Sequence, residues 1–166
     1  MPRYFIVKPD AMHVISASAN FSNLRDFNNY FSAQAASRNI STNQYFVNYN
    51  ITLPKKQLSL FVNINNTKLT GQNLENTFIG ATLGGNKSFL KQKLQTSLSC
   101  TVTKTSGNTS SDSFITNANG NLAYSVTKSQ RVSFNLFLTN NKSKAVSLFQ
   151  PNFTETRAEL SYLFNF

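Results

Sequence analysis

The sequence predicts an all-β fold: an antiparallel up-and-down barrel of about eight strands, or the C-terminal part of a larger one. Three observations predict it. Apolar residues recur at every second position in most segments, and the connections between these segments alternate between short and long. The chain also closes on Ala158-Glu159-Leu160-Ser161-Tyr162-Leu163-Phe164-Asn165-Phe166, an amphipathic stretch that stops on an aromatic ring. Successive side chains of a strand point to opposite faces, so period two gives each segment one greasy face and one polar face.

Taken in order, Tyr4-Phe5-Ile6-Val7 followed by Lys8-Pro9-Asp10-Ala11 reads as the end of an earlier strand and a tight turn, since Pro-Asp suits a turn. Ile15, Ala17, Ala19 and Phe21 form a faint stripe opposite Ser16, Ser18 and Asn20. Tyr45 to Leu53 and Leu58 to Ile64 alternate clearly on either side of Pro54-Lys55-Lys56. Ile79, Ala81 and Leu83 make a weaker stripe, followed by Leu94, Leu98, Cys100 and Val102. Ala118, Gly120, Leu122, Tyr124 and Val126 come next, then Val132, Phe134, Leu136 and Leu138 opposite Arg131, Ser133, Asn135 and Phe137. The terminal stripe completes eight strands of about ten residues, the length that crosses a bilayer at a tilt of about 45°. Tight turns are expected at Pro54-Lys55-Lys56, near Gly84-Gly85-Asn86-Lys87 and at Lys128-Ser129-Gln130. Longer polar connections are expected from Ser22 to Asn43, Asn65 to Asn76, Lys104 to Ser113 and Thr139 to Asn152. Asp26 to Ala36, with Phe27, Tyr30 and Phe31, is the one segment with helical tendency.

Composition decides what receives the greasy faces. Of the 166 residues, which fit one domain (1–166), 40% are hydrophobic and only 13% are charged; Asn, Ser and Thr make up the difference. A soluble surface needs more charge than that. A barrel with lipid outside and small neutral polar groups inside does not. Fifteen Phe and six Tyr, mostly in strand phase, argue against disorder. No run of about twenty apolar residues offers a membrane-spanning helix, and the opening residues hold too short an apolar stretch for a secretory signal. An exported barrel beginning in this way is expected to be a mature product or a piece of a longer chain.

The terminal stretch, with Leu160, Tyr162, Phe164 and Phe166 on one face, resembles the closing-strand assembly signal of Gram-negative outer-membrane β-barrel proteins. That resemblance implies a transmembrane barrel in the outer membrane, lipid as surroundings and recognition of these four residues by the barrel-insertion machinery. Short turns at one rim and long loops at the other fit the same group. The alternative is a soluble or surface-displayed β-sandwich used as a binding or adhesion module; a third reading is a small outer-membrane subunit of a larger transport or secretion assembly.

Other chemistries have little support. The net charge of +10 raises nucleic-acid binding, but the basic residues are spread along the chain and the rings keep strand phase, so no nucleic-acid partner is expected. The basic residues crowd the tight turns instead, where they could meet anionic headgroups. One cysteine, Cys100, excludes an internal disulfide and fits a small apolar or lipid-facing position. His13 is the only histidine, and a catalytic triad would have to pair it with Asp10 or Asp26 at the edge of a turn. A solvent-facing or rim histidine is the plainer reading. No catalytic residues, metal ligands, phosphate loop or cofactor are expected. Glu155, Arg157 and Glu159 form the one compact charged group inside an expected strand, opposite Leu160 and Tyr162, hence facing the lumen. Arg131 and Lys93 are expected to project to the same interior. These charges either line and constrict a pore or form ion pairs that plug a narrow barrel. The expected role is a non-catalytic, structural or transport one.

Overall fold

The computed structural model describes residues 2–24, 39–71, 74–108, 112–127, 129–144 and 152–164. Among them nine strands form one sheet in chain order: β1 (Arg3–Lys8), β2 (Ala11–Leu24), β3 (Ile40–Leu53), β4 (Leu58–Thr70), β5 (Glu75–Phe89), β6 (Leu94–Gly107), β7 (Ser113–Ser125), β8 (Gln130–Ser143) and β9 (Phe153–Phe164). All eight neighbouring pairs are antiparallel. The expected up-and-down topology is present, with the N-terminal strand fragment supplying a ninth member. No second sheet packs on either face among the described residues, as the sandwich alternative would require.

Strands β2 to β9 are longer than the period-two stripes. The polar stretch Asn65–Thr70 continues β4 rather than opening a loop, so only residues 71–74 join β4 to β5. Lys104–Gly107 likewise extends β6, and Thr139–Ser143 extends β8. The expected contrast of short and long connections is therefore weaker than the sequence suggested. Asn and Thr carry no apolar signal, yet their main chains pair as well as any others. The helical tendency expected for Asp26 to Ala36 lies outside the described residues.

One turn is displaced. Gly84-Gly85-Asn86-Lys87 lies inside β5, and the reversal falls at Leu90–Lys93, where Leu90, Lys91 and Gln92 take positive φ. Left-handed backbone at non-glycine residues costs about 1–2 kcal/mol each, which is why this site carried no turn signal. The glycines answer to packing instead. A Cβ on Gly84 would collide with the Phe61 ring and come within 3.0 Å of the Leu98 carbonyl oxygen. A Cβ on Gly85 would lie 2.6 Å from a Leu60 methyl. Lys8-Pro9-Asp10-Ala11 and Pro54–Lys56 do turn, the latter as a 3-10 segment capped by Gln57 in the left-handed region. Val126, expected in a strand, sits in the β7–β8 turn.

Residues paired across the ladders share a face, so the registers sort every strand position into two sets. One holds Ile15, Tyr49, Val62, Leu83, Cys100 and Ala118 in a single cross-strand row. The other holds Ser16, Asn48, Asn63, Thr82, Thr101, Asn117, Thr139 and Glu155 in the next. The buried residues, Ser16, Gly80, Gly84, Ala123 and Ser143, all belong to the polar set. A flat sheet would leave both faces equally open; crowding confined to one face means that the sheet curls towards it.

Gly84→Ala is expected to destabilise the refolded protein by about 1–3 kcal/mol, the usual cost of overpacking. Gly120→Ala, whose added Cβ would meet nothing nearer than Leu98 at 3.8 Å, is expected to leave it unchanged. Denaturant midpoints in detergent check the contrast.

Candidate functional site

The outward face is an apolar band between two rows of rings. On β7 its ends are Phe114 and Tyr124, ten positions apart. At about 3.4 Å per residue and a tilt of about 45°, that spacing spans about 24 Å, close to the ~25 Å band of membrane barrels. Phe89, Leu94, Tyr124, Val132 and Tyr162 form one cross-strand row at the short-turn rim. Tyr45 and Phe114 lie on one row at the other rim, with Phe21 edge-on to Tyr45 at 5.8 Å. Between the girdles the outward positions of β3 to β8 carry one charge, Lys87, a single row inside the short-turn girdle, and Lys68, Lys104 and Lys142 wait at the far rim. These girdles were in the sequence as ring spacings along single strands, but only the register aligns them.

Exposure follows the same division. Large hydrophobic side chains left open are mostly outward, up to Leu160 at 76%. The exceptions are Phe5, Val7, Met12, Leu24, Phe46, Phe153 and Leu163 on the other face, with Leu90 and Val126 in turns. Cys100 is exposed on the outward face, as its phase implied. His13 lies on the outward face of β2 near the β1–β2 turn, its Nδ1 sharing a 2.8 Å hydrogen bond with the Tyr49 hydroxyl. Asp10, its candidate orienter, is instead 2.5 Å from the Lys55 ammonium; Asp26 lies outside the described residues. Among those residues no cluster of His, Cys, Asp and Glu could hold a metal.

The inward face is a wall of amides and hydroxyls bonded sideways from strand to strand. Asn48 donates to Asn63, Thr82 and Thr101 share a bond at 2.9 Å, and Thr139 donates to Asn117 at 2.9 Å. In a parallel row Thr52 and Ser59 meet at 3.2 Å, and Asn121 donates to Asn135 at 2.5 Å. Ser133 and Ser161 meet at 2.6 Å near the rim. Each such bond is worth only about 0.5–1.5 kcal/mol, but together they fix side chains that would otherwise be free to swing into the interior.

The expected charged group is partly assembled on this wall. Glu155, Arg157 and Glu159 share the inward face of β9, and the Arg157 Nε lies 3.2 Å from a Glu159 carboxylate oxygen. Both side chains of the pair are exposed in this sheet. Arg157 also lies over the Phe137 ring, 4.7 Å from its centroid. With Thr101, Asn117, Asn119, Phe137 and Thr139, Glu155 and Arg157 line a recess of about 410 Å³. Arg131 does not join them: it donates to Gln95 at 3.0 Å, near the short-turn rim. Lys93 is in the β6-side turn and does not project inward from a strand. Phe137 was in the right phase, but pairing with Arg157 depends on the β8–β9 register, which has no local sequence signal.

Leu160, Tyr162 and Phe164 occupy the outward face of β9, opposite Phe134, Val132 and Gln130. Phe166 lies outside the described residues. At the far rim the connections are tied together. Asn108 Oδ1 accepts from the Glu75 amide at 2.7 Å, and Lys144 donates to Asp112 at 2.7 Å. The Lys144 ammonium, by this hydrogen bond and its charge, holds the Asp112 carboxyl below its ordinary value; Lys104 adds a smaller pull, against a small opposing effect of desolvation.

No family model and no curated protein matches the sequence. Solved structures do. An in-vitro folded OmpT, an outer membrane protein of Vibrio cholerae, superposes with a TM-score of 0.63 at 10% identity, covering 96% of this chain and 53% of that one. Its trimer form gives 0.60 at 12% identity, with 95% and 51% covered. The variant lacking loop L8 gives 0.59 at 13% identity over the same shares. This chain has the fold of an outer-membrane β-barrel. It spans about half the length of the solved chains it matches. The barrel fold and the outer-membrane setting expected from the sequence both agree with these proteins. No helix among the described residues is long and apolar enough to cross a membrane.

Because the Asp112 carboxyl is held low, its link to Lys144 is complete above the ordinary value of 3.8 and is lost as pH falls below that through the depressed one. Asp112→Asn is therefore expected to lower the denaturant midpoint at neutral pH. The gap to the parent should close as the medium is acidified below 3.8. Paired unfolding curves across that range check it.

Proposed function

We propose that the nine strands form part of the wall of a water-filled pore in an outer membrane, and that the pore passes small, polar, mostly uncharged solutes without chemistry. One observation carries this reading: the concave face is mostly neutral hydrogen-bonding groups, while the convex face is an apolar band of bilayer height whose one charge between the girdles on β3 to β8 is Lys87, beside the short-turn rim. Inward charges among the described strand residues are few: Arg3, Arg131, Glu155, Arg157 and Glu159. Nearly balanced, they give a solute no steep field to cross.

Closure supports a larger barrel. In an up-and-down sheet of nine strands, β1 and β9 run in the same direction, so pairing them directly would make a parallel contact. Bacterial single-chain barrels have even strand numbers. Further strands between these two edges restore antiparallel closure, in keeping with a chain that spans half of the barrels it matches. Lipid, the insertion machinery and other subunits are the partners this reading implies; the solved trimer form of the Vibrio cholerae protein supports the last.

Reconstituted full-length protein is expected to let neutral sugars swell liposomes and to conduct ions with weak selectivity. Arg157→Gln, which leaves Glu155 and Glu159 unopposed, should shift the reversal potential in a KCl gradient towards cations. Absence of swelling by correctly folded protein would remove the pore.

The outward residues of β9 are assigned the assembly role. Phe164 sits at the girdle, where a lysine costs only about 0–1 kcal/mol in lipid. Phe164→Lys is nonetheless expected to cut the membrane-inserted yield severely, while Tyr124→Lys at similar depth does not. Equal yields in a heat-modifiability gel would assign Phe164 to packing alone.

A further inference from the structure

Along one outward row the residues alternate in size: Leu60, Gly85, Leu98, Gly120, Leu136. Ridges of leucine thus flank hollows that run along β5 and β7. The β5 hollow is a groove of about 500 Å³, walled by Leu58, Leu60, Leu83, Leu98 and Cys100. Its end towards the short-turn rim is closed by Lys87, whose ammonium lies 4.7 Å from the centroid of the girdle ring Phe89. The neighbouring turn is fastened to the same strand by the Ser88 amide, which donates to the Gln57 carbonyl at 3.0 Å. Lys56 on that turn, and Lys91 and Lys93 on the next, crowd the same rim. The acid of this rim among the described residues is Asp10, and Lys55 engages it. An apolar channel that ends at a group of cations without acid partners among the described residues, at the depth of the aromatic girdle, has the two halves of a lipid-recognition site.

We propose that this groove is a site for an anionic phospholipid, with one acyl chain lying over Gly85 between Leu60 and Leu98 and the phosphate held by Lys87. Charge complementarity selects this occupant over a second copy of the chain, whose equivalent face presents the same cations. The inference shares the outward-face assignment of the pore reading but does not depend on conduction.

These 166 residues hold no tryptophan, so Leu122→Trp, read as the difference from the parent's emission, supplies a reporter on the outward face. It sits on the row of Lys87 and Thr96, beside the groove. The full-length variant is reconstituted into phosphatidylcholine vesicles doped with either dibrominated phosphatidylglycerol or dibrominated phosphatidylcholine. The anionic quencher is expected to act at about fivefold lower mole fraction, the contribution of one lysine beside an anionic headgroup. Adding Lys87→Gln should make the two quenchers equal, whereas Lys142→Gln at the opposite rim should leave the preference intact. Equal quenching in the parent, or a preference that survives Lys87→Gln, overturns the site. So does emission that ignores both quenchers but follows the protein-to-lipid ratio, which would give the groove to a second copy. The pore reading fails separately, by the absence of solute flux.

Discussion

Lipid offers no hydrogen-bond partner, so a sheet that crosses it must satisfy its main chain from within. All eight ladders pair one residue with one residue, with no bulge from β1 to β9. This continuity does more than bond the backbone. A single inserted residue would move every later side chain of its strand to the opposite face. In β5 it would exchange Thr82 for Leu83, putting a hydroxyl into the apolar band and a leucine among amides. Parity along the strand therefore decides the medium that each residue meets, and the unbroken ladder is what keeps parity true over 15 residues.

The same rule explains what could be read directly from the chain. Faces were legible, because period two needs no knowledge of partners: Tyr45 to Leu53, Leu58 to Ile64 and Ala158 to Phe164 landed on the side their alternation assigned. Strand ends were not. Asn65–Thr70 carries no greasy alternation, yet it extends β4 because its amides and carbonyls still find β3 and β5. The Gly84-Gly85 pair misled because glycine answers two different demands. A turn asks it for positive φ, which neither adopts. Packing asks for a missing side chain, and the two neighbours supply it on opposite faces, Gly84 under Phe61 inside and Gly85 beside Leu60 outside.

The candidate site was legible in part for a related reason. Glu155, Arg157 and Glu159 share a face by parity alone, and they do so in the fold. Which residues they meet is a matter of register, set by how far each strand slides along the next. Hence Phe137 under Arg157 was not foreseen, and Arg131, in the right phase, was assigned to a cluster too far along the strand. The neutral part of the wall follows from energetics. Amides and hydroxyls can serve as donor and acceptor together, so Asn117 and Thr139, or Thr82 and Thr101, satisfy each other without counter-ions. A wall of carboxylates and ammonium groups would need every charge answered and would leave strong fields where any was not.

The two rims differ less in loop length than in how their connections are held. At the short-turn rim, geometry resides in the main chain: the 3-10 segment at Pro54–Lys56, the left-handed residues Leu90 to Gln92 and the bond from Ser88 to Gln57. At the far rim, side chains reach across to neighbouring connections. Asn108 is bonded to Glu75 in both directions, Lys144 meets Asp112 through both main chain and side chain, and Asn152 accepts from the Ser143 amide. Links of this kind join the segments following β4, β6 and β8 into one collar. A collar made of side-chain contacts can change composition without disturbing the ladders beneath it. The rim that is free to vary is thus separated from the wall that is not.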